Sequence, residues 1–362
     1  MPPVDTYLAL LRRAFDARCF SGNGPLVLEL ERRLAEYHGV RHCVAVANAG
    51  LDLVMLMRMF AGGRAGEVVM PAFGYNGLPH FAQWAGQMPR FCDVDAQTHG
   101  LDPRAVAQAL SSQTTSILAV CNFHDAGAVE ELCAVARAAG VPILFDSVNA
   151  LGGTHRGRML GSFGRAEVFS LHATKLLNGF EGGYITTDDA ALANELRAQR
   201  DHARLNEVHA AMAIASLDDL DAVIQRNKAR FDAYAEICTR LRGFELLRYR
   251  QEAGARHAFP LVVAAVSQEW PLTRDETVQV LRAEGAAIGA YYSPPLHRSA
   301  HAPPGLPVRT MPVSEALARR FVQLPAGELT SLDDIERIGG RLAFIQRHGA
   351  AIASRIRTGA PS

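Results

Sequence analysis

The sequence predicts an α/β protein, a large mixed-sheet α/β domain followed by a smaller C-terminal α+β domain. Three observations predict it. Strand-like apolar runs alternate with helix-spaced amphipathic stretches up to about residue 200. A long helical connection free of glycine and proline runs from Asp188 to Leu241, and Gly243 ends it. Strand and helix signals then resume from His257. The chain has 362 residues, enough for one large or two ordinary domains. The reading divides it into an N-terminal arm (1–20), the large domain with its helical connection (21–245) and the small domain (246–362).

The elements follow in chain order. Leu26, Leu30, Leu34 and Tyr37 recur at helical spacing, with Pro25 just inside the start and Gly39 just past the end. Cys43–Ala47 reads as a buried strand, Asn48 as a junction, and Leu51–Phe60 as a helix. Glu67–Met70 and Arg90–Val94 read as strands, and Asp102-Pro103 caps and opens a helix. Ser116–Cys121 is strand-like, Val129–Ala139 helical, and Val141–Phe145 a short strand ending at Asp146. Glu167–Leu171 and Gly183–Thr187 are strands on either side of Lys175. Beyond the helical connection come a strand at Phe259–Val266, a helix near Glu276–Arg282, a strand at Ala287–Tyr292, a proline-rich bend and two terminal helices.

Composition excludes several classes of function. Apolar residues make up 49% and charged residues 20%, and 37 basic residues balance 37 acidic ones. That balance gives no basic footprint for nucleic acid and no acidic solvating tail. No apolar run approaches the ~20 residues of a membrane helix, and the start lacks the pattern of a signal peptide. Six cysteines stand without a CxxC pair, as reduced thiols do, so a cytoplasmic location is expected. The histidines are dispersed, and no metal is expected.

Two lysines, Lys175 and Lys228, stand among 35 arginines. Where a plain positive charge suffices this sequence uses Arg, so a surviving lysine points to a need for an amine. Lys228 lies in a polar helical stretch, and a solvated face explains it. Lys175 lies between a strand and a glycine-rich turn. A pyridoxal phosphate enzyme needs an amine, a carboxylate for the pyridine nitrogen, a flat partner for the ring and a phosphate cradle. Asp146, at the end of its strand, would project into the crevice where open α/β sheets bind ligands, although in isolation an Asp capping the next turn is the commoner case. Asn48-Ala49-Gly50 at a strand-to-helix junction offers backbone amides to a phosphate, or an ordinary Asn cap. Ser170 adds a hydroxyl, and Tyr75 a ring for stacking.

With Ser21-Gly-Asn-Gly-Pro, Val46-Ala-Asn-Ala, Phe91-Cys-Asp-Val-Asp, Phe145-Asp-Ser-Val-Asn, Phe169-Ser-Leu-His-Ala-Thr-Lys, Phe180-Glu-Gly-Gly and Tyr291-Tyr-Ser-Pro-Pro-Leu-His, the chain resembles the DegT/StrS-type nucleotide-sugar aminotransferases. The resemblance runs from about residue 20 to about residue 345. It implies pyridoxal 5'-phosphate, an aspartate-aminotransferase-like fold (fold type I), and a homodimer with sites at the subunit interface. It also implies transfer of an amino group from an amino acid, usually glutamate or glutamine, to a keto-sugar. Carried over, Lys175 is the Schiff-base lysine and proton shuttle, Asp146 the partner of the pyridine nitrogen, and Tyr75 the stacking aromatic. Ala49, Gly50 and Ser170 bind phosphate, and Asn149 takes the place of a Gln or His against the ring hydroxyl. Arg204 stands where a polar residue reaches the neighbouring subunit's phosphate. His297 and Tyr292 are expected to face the substrate. Departures from the pattern are Gly50 in place of Thr or Ser, Asn122–Gly127 in place of a Gly-x-Pro loop, Arg165 in place of Asp, and a short segment between Arg197 and Asn206.

Other readings compete. A pyridoxal phosphate enzyme acting on a non-sugar keto intermediate shares every cofactor residue. A catalytically silent regulatory homologue would keep the fold, and the intact Asp146/Lys175 pair speaks against it. A nicotinamide reductase lacks its GxGxxG.

Overall fold

The computed structural model describes residues 1–251, 254–306 and 309–358. In chain order its elements are α1 (Val4–Asp16), α2 (Pro25–His38), β1 (His42–Val46), α3 (Ala49–Ala61), β2 (Gly66–Pro71), α4 (Leu78–Trp84), β3 (Gln87–Cys92), α5 (Pro103–Ala109) and β4 (Thr114–Val120). There follow α6 (Val129–Ala139), β5 (Ile143–Asp146), the short pair β6 (Thr154–His155) and β7 (Arg158–Met159), β8 (Ala166–Ser170), β9 (Gly183–Thr187), α7 (Ala190–Gln199), α8 (Glu207–Asp218) and α9 (Leu220–Cys238). The remainder are β10 (Phe244–Leu246), β11 (Val262–Val266), α10 (Arg274–Ala283), β12 (Gly289–Ala290), α11 (Pro312–Arg320), β13 (Phe321–Leu324) and α12 (Leu332–Thr358). None of these helices is long and apolar enough to cross a membrane.

Local chemistry sets many of the boundaries. Pro25 starts α2, and Gly39 closes it in the left-handed region at φ 68°. The side chains of Asn48, Asp102 and Asp189 accept from first-turn amides of α3, α5 and α7. Thr273 and Glu276 form a reciprocal capping box on α10.

Seven strands make the larger sheet, in the order β1-β9-β8-β5-β4-β2-β3. β9 runs antiparallel to β1 and β8, and the other pairings are parallel. Helices cover both faces, so its strands are apolar on both sides. Val44, Val46, Met70, Leu118 and Ile185 pack with Leu53, Leu56 and Met57 of α3 on one face. Cys43, Ala45, Phe169 and Tyr184 pack with α2 and α8 on the other, where Ile117, Ile143 and Phe145 meet α5 and α6. The smaller sheet is antiparallel, β10-β11-β13-β12. One face packs on α9, α10 and α12 through Tyr234, Leu281 and Leu342. Its other face joins Phe73, Val94 and Phe123 from the larger sheet's loops to Val263, Tyr291 and Phe321.

The stretch after Asp188 departs from the continuous helix expected there. It breaks at residues 200–206, where Arg204 bridges to Val46 in extended backbone and the Ala47 amide donates to the Ala203 carbonyl. Asn206 then caps α8 by accepting from the His209 amide, and the Glu207 carboxylate holds the Leu26 and Val27 amides at the start of α2. These contacts outweigh helical propensity. The expected Ala287–Tyr292 strand shrinks to Gly289–Ala290, because Tyr292 takes a left-handed φ of 45°. β10 and β13, absent from the sequence reading, complete the smaller sheet, and α1 occupies the expected arm.

Candidate active site

The strand register places the site. Val46, Gly183 and Ser170 lie side by side at one edge of the larger sheet, and Asp146 ends β5 one strand further along. Four chain segments therefore converge where α/β sheets bind ligands. Asp146 is buried, and its Oδ1 accepts from the Val148 amide at 3.1 Å. Lys175 rides on the turn between β8 and β9, fixed by Lys175 N donating to the His172 carbonyl and Ala173 N to the Phe180 carbonyl, each at 2.8 Å.

The Lys175 amine donates to Asn149 Oδ1 at 3.1 Å, and Asn149 Nδ2 donates to the Tyr292 hydroxyl at 3.0 Å. Asp146 and Lys175 act on each other electrostatically. Burial pushes the Lys175 pKa down and the nearby Asp146 pushes it back up. Burial raises Asp146, and the Val148 amide and Lys175 oppose the rise. A carboxylate and an amine are thus close enough to act on each other, and burial disfavours the charged form of each. Burial pushes the Tyr292 hydroxyl up to about 12. Tyr75, 55% exposed, is close enough to act on that hydroxyl and lies 6.3 Å from the Phe81 ring.

At the start of α3 the Gly50 amide, expected to face a phosphate, donates to Asn48 Oδ1 at 2.8 Å. A Cβ at position 50 would come within 2.6 Å of the Phe81 ring, so the usual Thr or Ser has no room. A Cβ at Gly183 would sit 2.6 Å from the Ala49 amide nitrogen and 2.3 Å from Asp52 Oδ2. The bare glycine lets β9 press against the amide end of the helix. Asp52 is fully buried, and burial raises its pKa, which disfavours its negative form beneath an anion held there. Ser170 Oγ accepts from the His172 amide at 3.2 Å.

Arg204 pairs its guanidinium with Asp201 at 3.1 Å, next to the segment that leads into α3. His297 is held elsewhere. Its Nε2 lies 3.2 Å from Glu315 Oε1 and its ring faces Phe91, away from any described contact with Lys175, Asn149 or Asp146. Among the described residues, no group of three or more His, Cys, Asp or Glu side chains is placed to hold a metal ion.

Sequence reasoning missed Asp93, whose carboxylate accepts from the Val313 and Ser314 amides and the Ser314 hydroxyl, tying the loop after β3 to α11. Its position within Phe91-Cys-Asp-Val-Asp was the available signal. Glu167 was missed as well. Buried under the Asp146 turn, it accepts from Ser147 Oγ at 2.5 Å and from the Phe163 amide at 2.6 Å.

This donor set suits a phosphorylated, aldehyde-bearing ring: an amine for covalent attachment, an acid, an amide, and a 13-residue helix presenting its N-terminus. The model of the DegT/DnrJ/EryC1/StrS aminotransferase family matches residues 5–343. The chain belongs to that family. This aminotransferase therefore has the fold of the pyridoxal-phosphate-dependent enzymes of fold type I. It is similar to the solved structure of DesI in the presence of its TDP-sugar product, with 35% identity and a TM-score of 0.91, over 99% of this chain and 94% of that one. It is also 25% identical over 341 residues to the GDP-perosamine synthase of Caulobacter vibrioides, covering 89% of this chain and 91% of that protein. Identity is 27% over 372 residues to an L-glutamine:2-deoxy-scyllo-inosose aminotransferase of Streptomyces lividus, covering 89% and 86%.

Proposed function

We propose that this aminotransferase moves an amino group from an amino acid, glutamate or glutamine, to the keto group of a nucleotide-linked deoxysugar, using pyridoxal 5'-phosphate held by Lys175. The observation that carries the reading is the Lys175 amine, on the turn after β8, acting on the Asp146 carboxylate at the end of β5, in a chain of this family. The relatives named for TDP-sugar and GDP-sugar chemistry support the acceptor class.

When bound, the cofactor supplies an aldehyde carbon for amine attachment and a ring that takes up electron density. The chain's own residues do the rest. Lys175 Nζ holds the group covalently and, once a donor displaces it, takes the donor's α-proton as general base. Burial lowers its pKa, which favours the neutral, nucleophilic amine over the ammonium. Asp146 meets the ring nitrogen, where a positive partner favours its ionised form. Ala49, Gly50 and Ser170 line the phosphate end, Asn149 the ring hydroxyl and Tyr75 the ring face. Arg204 serves the phosphate of a second copy in a homodimer, which sedimentation at defined concentrations tests.

The inosose relative favours a second reading, in which the acceptor is a ketone other than a nucleotide sugar. A panel of nucleotide-linked and free keto acceptors separates the two. The cofactor assignment has its own test. Borohydride treatment and peptide mass spectrometry should place the cofactor mass on the Lys175 peptide, and Lys175→Ala should abolish visible absorbance and turnover. Turnover surviving in Lys175→Ala, or cofactor mass elsewhere, refutes it.

A further inference from the structure

Lys175, Asn149 and Tyr292 form a chain whose polarity is dictated by chemistry. A lysine ammonium only donates, so the oxygen of the Asn149 amide must face Nζ, as it does at 3.1 Å. The amide nitrogen then points the other way and needs an acceptor, which the Tyr292 hydroxyl supplies at 3.0 Å. With that acceptor in place, rotating the Asn149 amide would break both contacts at once. Tyr292 reaches inward from a left-handed backbone, φ 45°, a conformation that costs a bulky side chain free energy and persists where packing over-determines it. The packing is aromatic, with the Tyr291 ring centroid at 3.9 Å and the Phe73 centroid at 5.4 Å.

We propose that Tyr292 is a positioning residue that acts on Lys175 through Asn149, locking the amide so that its oxygen accepts from the amine. This role differs from contact with substrate. It makes the segment after β12 of the smaller sheet responsible for an amine carried by the larger one. It rests on Lys175 being the reactive amine, yet can fail by itself. The charged side chain acting on both Lys175 and Tyr292 is Asp146, and Tyr75 and Tyr291 are the other titratable neighbours of the Tyr292 hydroxyl.

The test uses the full chain freed of cofactor. An amine-acylating reagent is applied across a pH series, and acylation of the Lys175 peptide is read by mass spectrometry. Lys228, half-exposed and paired with Asp232, is the internal control. Asn149→Ala removes an acceptor that favours the ammonium, so the Lys175 midpoint should fall by roughly 0.5 to 1 in pH. Tyr292→Phe should shift it the same way, and adding Tyr292→Phe to Asn149→Ala should shift it no further. In the loaded enzyme Tyr292→Phe should lower kcat roughly three- to tenfold with KM for the keto acceptor unchanged. The proposal is overturned if Tyr292→Phe leaves the midpoint in place, if its shift persists in full beside Asn149→Ala, or if KM alone rises. Cofactor found on a residue other than Lys175 would sink the functional reading instead, and the titration would still be readable.

Discussion

Removing the carboxylate of Asp93 should loosen the smaller sheet from the larger one. The first turn of α11 leaves amides unsatisfied, and Met311 at its N-cap offers no side-chain acceptor. Asp93 fills that role from far up the chain, with Oδ2 2.9 Å from Val313 N and Oδ1 2.8 Å from Ser314 N and 2.6 Å from Ser314 Oγ. A helix cap contributes about 1 kcal/mol. A charge-assisted bond to a hydroxyl adds about 1.5–3 kcal/mol, here to a Ser314 that is fully buried. Asp93→Ala should therefore cost about 3 kcal/mol, which for a chain of this length melting as one unit lowers Tm by about 4 °C. Asp93→Asn keeps one acceptor oxygen and should recover roughly half, and Ser314→Ala should cost about 1.5 kcal/mol. Urea titration and thermal melting of the cofactor-free protein measure all three. An Asp93→Ala protein within about 0.5 kcal/mol of the parent, inside ordinary surface-mutation scatter, would refute the cap. So would a Ser314→Ala loss as large as that of Asp93→Ala.

Three further perturbations test the site. Gly183→Ala drives a methyl into the Ala49 backbone and Asp52, so cofactor affinity should drop at least tenfold in an absorbance titration while far-UV dichroism stays native. Asp146→Asn keeps the shape and removes the charge; it should also weaken pyridoxal phosphate binding about tenfold or more, some 1.4 kcal/mol, and unchanged affinity would contradict the assigned partnership. Glu167 has its folded pKa raised by burial to about 7 from an ordinary 4.5. Its contribution to stability is thus complete below about pH 4.5 and lost as pH rises through about 7, a swing of about 3 kcal/mol. Glu167→Gln should flatten that slope in urea titrations between pH 5 and 8, and an unchanged slope would assign the pH dependence to another group.

The placement of Lys175 and Asp146 was legible because its signals are local: Asp146 ends a short apolar strand, Lys175 follows another, and the amine stands out in a chain rich in arginine. Elements marked by their own periodicity were legible for the same reason. α6 spans Val129–Ala139 and β9 spans Gly183–Thr187, as the periodicity predicts. What could not be read depends on partners distant in sequence. The break at residues 200–206 exists because Arg204 meets Val46 and Glu207 reaches the start of α2. β13 follows α11 with no intervening turn, so no punctuation separates them. The grip of Glu315 on His297 requires α11 to dock beside the proline bend. Likewise, the space that Phe81 denies to a side chain at position 50 is visible only once α4 lies across α3.

The pairing of β1 with β9 bears on how the enzyme matures. Val46 meets Gly183 only after the whole intervening chain has been made, and closing such a distant contact is slow. On the proposed assignment of Ala49, Gly50 and Lys175, the two ends of the cofactor site are brought together by that one late event, and a fragment ending before β9 should bind pyridoxal phosphate weakly. Added pyridoxal phosphate should accordingly act as a brake on unfolding, raising apparent stability with the logarithm of its concentration. The appearance of its colour during refolding would time the arrival of β1.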